Sequence, residues 1–294
     1  MPSHPHSNLS QKWNAYLQLT KPRIVTLVLV TTALGYYLGG DGRFDYAVFL
    51  WLVLGAGLVC AGSSTLNNYL ERESDCKMLR TKNRAIPLGI ITPLHALNYG
   101  IVLILSGLII LYTRVNLLTA FLSLLTAFLY VLIYTPMKKV SWLNTTIGSI
   151  PGAIPPMGGW AAATGYLEPG AWVLFLILVL WQHPHFYAIA WMYREDYKRA
   201  GFKMLSVMDH DGRRMFQQIL WYSVILIPVS ILPTVIGLTG IFYSVGAFIC
   251  GVVLLRFGQR LMATRSLKDA RHLLQATVFY LPILLILIIV DISL

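Results

Sequence analysis

The chain has 294 residues, of which 12% are charged and 56% hydrophobic, with a formal net charge of +11. Its mean hydropathy is +0.65. Soluble domains are usually about 25% charged, so this composition excludes an ordinary water-exposed globule and points to a chain embedded in the lipid bilayer.

Residues 1–20, MPSHPHSNLSQKWNAYLQLT, form a polar segment that reads as disordered or as lying on the membrane surface. His4 and His6 read as part of this tail rather than as a metal site. No arginine precedes Arg23, which is unlike a mitochondrial transit peptide. Residues 21–294 read as a single membrane-embedded domain.

Crossing a bilayer takes roughly 20 apolar residues. Nine stretches qualify: 24–40, 46–66, 94–113, 116–135, 143–164, 170–192, 216–236, 240–256 and 273–292. The fifth is the weakest and is rich in Gly and Pro. With nine spans, 21 of the 23 Lys and Arg fall on one side, and only Arg43 and Arg114 on the other. Basic loops mark the cytoplasmic side, so the N-terminus is expected in the cytoplasm and the C-terminus outside. The first span lacks a cleavage pattern and is expected to be retained. The bases lie in loops between spans rather than on one soluble face, which argues against a nucleic-acid partner, and none is expected. Cys60 and Cys250 lie in apolar runs and Cys76 in a reducing loop, so no disulfide framework is expected.

The second span exits into NNYLERESDCKMLRTKNRAIPLG. If the helix continues, Asn67, Glu71 and Asp75 stack on one face at i, i+4, i+8, with Glu73 turned away. Hard oxygen ligands at low count suit Mg²⁺, which keeps waters and accepts phosphate oxygens. Arg72, Lys77, Arg80, Lys82 and Arg84 follow at once. Acids that hold Mg²⁺ beside bases that hold phosphate would make a diphosphate site; a solvated basic loop obeying the positive-inside rule reads the same spacing without one.

In the middle of the chain, Tyr134 and Lys138 are four residues apart at the end of the fourth span, in YTPMKKVSWLN, which ends on Asn144. Gly148, Pro151, Gly152, Pro155, Pro156, Gly158 and Gly159 interrupt the fifth span. That pattern fits either a wide internal chamber or close helix packing through small residues. The sixth span ends in WQHPHFYAIAWMYREDYKRAG. His183 and His185 are titratable groups at membrane depth, where such groups usually face a cavity; Pro184 between them is expected to disturb the helix. Arg194, Glu195, Asp196, Lys198 and Arg199 complete this second mouth. Its exit echoes that of the second span, each leading to Lys-Met-Leu, so a duplicated four-helix unit is one reading.

Taken together, NNY-x-x-R-x-x-D-x-K-M-x-R-T-x-N-R at 67–84, YTPMKKVSWLN at 134–144, GAIPPMGGWAAATG at 152–165 and WQHPHFYAIAWMYREDYKRAGFKML at 181–205 resemble the UbiA superfamily of intramembrane prenyltransferases. The HPHF…REDYKRAG form is most similar to the branch that farnesylates heme. The resemblance runs from about residue 19 to the last span. It implies an all-α, nine-helix bundle around a central cavity open to the cytoplasm, in the inner membrane of a bacterium. It implies Mg²⁺ held by Asn67, Glu71 and Asp75, with Lys138, Arg194 and Asp196 as catalytic groups. Arg72, Lys77, Arg80, Arg84, Tyr134, Asn144, His183, His185, Tyr197 and Lys198 would bind substrates. The substrates implied are farnesyl diphosphate and heme b, the heme being a substrate rather than a resident cofactor. A heme A synthase or a terminal oxidase assembly factor would be the partner receiving the product. The family usually has Asp at 71 and 73 and Pro at 85; this chain has Glu71, Glu73 and Ala85. Two alternatives stay open: a transferase of aromatic quinone precursors, and a transporter or membrane heme carrier.

Overall fold

The computed structural model describes residues 9–40 and 44–293. His4, His6 and Arg43 lie outside the described residues. Among the described residues every regular element is helical: α1 (Leu9–Leu19), α2 (Pro22–Gly39), α3 (Tyr46–Asp75), α4 (Pro93–Arg114), α5 (Leu117–Phe128), a π-helical turn (Leu129–Tyr134), α6 (Thr135–Val140), α7 (Asn144–Thr164), α8 (Pro169–Met192), α9 (Arg194–Arg199), α10 (Leu205–Met208), α11 (Arg213–Val235), α12 (Ile241–Thr264) and α13 (Leu267–Ser293). Local chemistry fixes the starts. Asp45 accepts from the backbone N–H groups of Ala47 and Val48 ahead of α3, and Thr92 and Asn116 cap α4 and α5 in the same way. Pro22, Pro93 and Pro169 each open a helix, where a missing N–H costs nothing.

Eight helical stretches are long and apolar enough to cross a membrane among the described residues: α2, α3, α4, Leu117–Val140, α8, α11, α12 and α13. The expected fifth span is present as α7, a continuous helix of 21 residues, but its Gly and Pro content keeps it out of that set. Thirteen of its residues, including Trp160, are buried. It is therefore shielded by protein on most sides and packs against α2, α5 and α8. Backbone contact makes this possible. A Cβ added at Gly159 would lie 1.9 Å from the Thr32 carbonyl oxygen, and one at Gly35 would lie 1.9 Å from that of Pro156. At this crossing the small residues serve close helix approach.

The sequence around Pro184 suggests a bend, yet α8 runs unbroken from Pro169 to Met192. From residue 9 onward the polar N-terminal segment is helical. Ala15 and Leu19 of α1 are buried against Ala85, Ile86, Ile91 and Ala96, and Tyr16 meets Tyr99 edge-on. The N-terminus of α2 and the C-termini of α3, α6 and α8 gather at one end of the bundle, which brings together the polar stretches that the sequence scatters.

Candidate active site

Helix α3 continues nine residues past the expected end of its apolar run, to Asp75. Asn67, Glu71 and Asp75 consequently share one face and are only 1%, 6% and 0% exposed. Each meets a cation. Lys21 Nζ lies 2.6 Å from Asn67 Oδ1. Lys138 Nζ donates to Glu71 Oε1 at 2.6 Å. Arg84 Nη1 reaches both oxygens of Asp75, at 3.0 and 2.8 Å. Charged hydrogen bonds of this kind are about twice as strong as neutral ones.

The opposite edge of Asn67 is also held. Its Nδ2 donates to Thr135 Oγ1 at 3.1 Å, and that hydroxyl donates to the Tyr130 carbonyl at 2.8 Å. The carbonyl belongs to the π turn, whose wider coil also stacks Tyr130 on Tyr134 with ring centroids 5.6 Å apart. Such turns are frequent at functional sites. Lys138 Nζ is 4.6 Å from the Tyr134 ring centre, so Lys138 stands between the ring four residues before it and Glu71.

Lys21 is a member that the spacing of motifs does not reveal. Its backbone is left-handed, φ 52°, immediately before Pro22, a conformation that costs a non-Gly residue of order 1–3 kcal/mol. Burial, and then the nearby Arg84 and Lys138, pull its ammonium down to about 7, against the opposing attraction of Glu71 and Asp75. Three basic side chains thus face two carboxylates, and the cluster carries an excess of positive charge whenever Lys21 is protonated.

The remaining expected site residues divide. Arg72 donates to the Tyr69 carbonyl and pairs with the exposed Glu73. Arg80 lies over the rings of Tyr193 and Tyr197, 4.8 and 4.7 Å from their centres. Arg194 covers Trp191 and pairs with Glu195. Asp196 accepts from the Leu79 backbone N–H at 3.0 Å and pairs with Arg199. Asn144 is fully buried and donates to the carbonyls of Ser141 and Lys203. Lys77 and Lys198 are exposed at the surface of this end. Arg72, Arg80, Arg194, Asp196 and Asn144 therefore stand around the acid ladder without touching it.

The two histidines do not converge. His183 is fully buried, stacks on Tyr222 at 3.5 Å, and has Nδ1 on the Val179 carbonyl and Nε2 on Thr146. His185 turns to α13: its ring stacks on Trp181 and its Nδ1 lies 2.9 Å from Thr277 Oγ1. The two rings thus face different helices, His183 toward Thr146 and Tyr222 and His185 toward Thr277.

The donor set suits Mg²⁺, because it consists of two carboxylates and an amide oxygen, all hard, all buried and on one helix face. Among the described residues no three His, Cys, Asp or Glu gather as a metal site.

A buried acid ladder lined by cations thus stands at one end of a bundle of long apolar helices, the build of a multi-pass membrane protein. The sequence profile of the UbiA prenyltransferase family matches residues 28–283, and the chain belongs to that family. Its curated relatives narrow the kinship. It is 44% identical over 285 residues to a protoheme IX farnesyltransferase of Solibacter usitatus, covering 94% of this chain and 98% of that one. It is 41% identical over 276 residues to the protein of the same name from Salinibacter ruber, with the same coverage. Among solved structures, a digeranylgeranylglyceryl phosphate synthase superposes with a TM-score of 0.80 at 19% identity, over 96% of this chain and 98% of that one. A UbiA homologue from Archaeoglobus fulgidus bound to DMAPP and Mg²⁺ superposes at 0.66 with 15% identity, over 93% and 98%. These structural likenesses establish the fold.

Proposed function

We propose that this prenyltransferase moves the farnesyl group of farnesyl diphosphate onto a vinyl group of heme b, with addition of water, to give heme O. The near-full-length relatedness to protoheme IX farnesyltransferases carries this reading, and the cation-lined acid ladder supplies the place for its chemistry. The alternative acceptor, an aromatic quinone precursor, has no observation in its favour.

Mg²⁺, when bound to Asn67, Glu71 and Asp75, would neutralise diphosphate charge. Lys21, Lys138 and Arg84 then exchange their protein oxygens for phosphate oxygens. Their charges are aimed where negative charge develops as the C1–O bond of farnesyl diphosphate breaks and the diphosphate leaves with the electron pair. The stacked Tyr130 and Tyr134 present aromatic faces beside Lys138, suited to an allylic cation. The farnesyl tail extends along apolar helix faces, where burial contributes about 0.8 kcal/mol per CH₂, and scarcity of water protects the cation. The π electrons of the heme vinyl group form the new C–C bond at C1. Water captures the resulting cation next to the porphyrin and releases a proton.

In this reading the ladder end of the bundle faces the cytoplasm of a bacterium, the C-terminus lies outside, and the product passes to a heme A synthase or a terminal oxidase. A reporter active only in the cytoplasm, fused after residue 294, is expected to be silent; activity there would reverse the orientation. The function is tested by incubating purified protein with Mg²⁺, farnesyl diphosphate and heme b. Mass spectrometry is expected to show heme carrying a hydroxyethylfarnesyl chain, and unmodified heme would refute the assignment.

A further inference from the structure

The segment 76–84 carries Arg84 to Asp75 as a run of short hydrogen-bonded turns rather than as a continuous helix. Thr81 Oγ1 donates to the Asp75 carbonyl at 3.0 Å and folds the segment back on the end of α3. Its middle is tied to α9, more than a hundred residues away in sequence. Asp196, 7% exposed, accepts from the Leu79 N–H at 3.0 Å. Arg80 is held over the rings of Tyr193 and Tyr197. Between these contacts, Met78 is buried with Ala190, Tyr197, Ala200, Phe202 and Met204. The chain just after α9 also reaches the other cationic arm, for the Lys203 N–H donates to the Lys138 carbonyl at 2.7 Å. Helix α9 and the chain just after it thus touch two of the three segments that deliver cations to the ladder.

We propose that α9 is a clamp that sets the 76–84 segment against the ladder, with Asp196 as its positioning residue. The Asp196 carboxylate is turned toward a backbone N–H and toward Arg199, so it acts through Leu79 rather than on a phosphate or a metal. What the role needs is an acceptor oxygen at that place, and asparagine supplies one without the charge. Asp196→Asn therefore preserves the clamp, whereas Asp196→Ala opens it. The proposal builds on the diphosphate-site reading above, but part of its test needs no substrate.

The test is limited trypsin digestion of the purified full-length protein in detergent, reading cleavage after the exposed Lys82, alongside steady-state kinetics with farnesyl diphosphate. For Asp196→Ala, loss of a charged hydrogen bond predicts about tenfold faster cleavage and about a tenfold higher KM for farnesyl diphosphate, with a smaller change in kcat. Asp196→Asn should stay within about twofold of the parent in both. If Asn is as damaging as Ala, charge or metal binding is the role and the clamp is refuted; unchanged cleavage in the Ala variant refutes it equally. Should Asp196→Ala fail to fold, Tyr193→Ala decides: faster cleavage after Lys82 supports the clamp, and parental cleavage overturns it. A parent enzyme that forms no farnesylated heme would strike the functional assignment alone, because the digestion is read without substrate.

Discussion

Lys21 Nζ stands 2.6 Å from Asn67 Oδ1, so the residue that precedes α2 closes on the first rung of the acid ladder of α3. The contact spans 46 residues of sequence and is made from a left-handed backbone, which marks it as constrained by the fold. With Lys138 on Glu71 and Arg84 on Asp75, it gives each rung its own cation.

Removing that cation should weaken the grip on diphosphate. Lys21→Met is expected to raise the KM for farnesyl diphosphate about tenfold, the scale of one charged hydrogen bond, while Lys21→Arg recovers part of the loss. Initial-rate kinetics with varied farnesyl diphosphate measure this; a parental KM in Lys21→Met would show that Lys21 only packs.

Asp75 is fully buried and doubly bonded to Arg84. Asp75→Ala removes a hard oxygen and leaves a cation unpaired, so turnover at ordinary Mg²⁺ should fall by at least about a hundredfold. Glu71→Asp keeps the carboxylate and restores the residue usual in the family, and activity should be kept or raised. Near-parental turnover in a folded Asp75→Ala variant would remove Asp75 from the metal site.

The hydrogen bonds of the two histidines assign them different work. Thr277 Oγ1 donates to the Leu274 carbonyl at 2.6 Å, so toward His185 it acts as acceptor and fixes the proton on Nδ1. The Nε2 lone pair is then the one available to iron, the usual arrangement for a ligating imidazole. His183 has both ring nitrogens engaged inside the core. His185→Ala should weaken heme binding, followed by the Soret band, and leave farnesyl diphosphate binding nearly unchanged. His183→Ala should lower the unfolding temperature instead. Parental heme titration in His185→Ala would contradict this division.

The α2–α7 crossing makes a stability prediction. A methyl group at Gly159 meets the Thr32 carbonyl at 1.9 Å, whereas one at the neighbouring Gly158 meets nothing within 4 Å. Gly159→Ala should cost about 1–3 kcal/mol as overpacking and Gly158→Ala almost nothing. Thermal unfolding in detergent compares them; equal midpoints would mean that the crossing relaxes freely.

Much of this arrangement was legible in the sequence because it is local. The ladder follows from i, i+4, i+8 spacing on a helix that persists beyond its apolar run, and the Tyr134–Lys138 pair from the same period. Nine apolar stretches were legible; eight return among the described residues as helices long and apolar enough to cross a membrane, and the weakest returns as α7, since glycines and prolines lower hydropathy without breaking a helix that neighbours enclose. Long-range partners were not legible. Nothing near Lys21 announces Asn67, and nothing near Asp196 announces the backbone of Leu79. Pro184 looked like a disturbance, yet the helical assignment of α8 continues through it. The rings of Tyr193 and Tyr197 beneath Arg80 were equally hidden, since they come from another segment.

The central claim is that this bundle joins a farnesyl chain to heme. Its most direct test is a competition: purified protein, Mg²⁺ and farnesyl diphosphate with heme b and 4-hydroxybenzoate both present, in ¹⁸O-labelled water, read by mass spectrometry. The account predicts that farnesylated heme is the sole prenylated product and that its new hydroxyl carries the label. A farnesylated benzoate with unmodified heme, or a farnesylated heme without labelled oxygen, would contradict it.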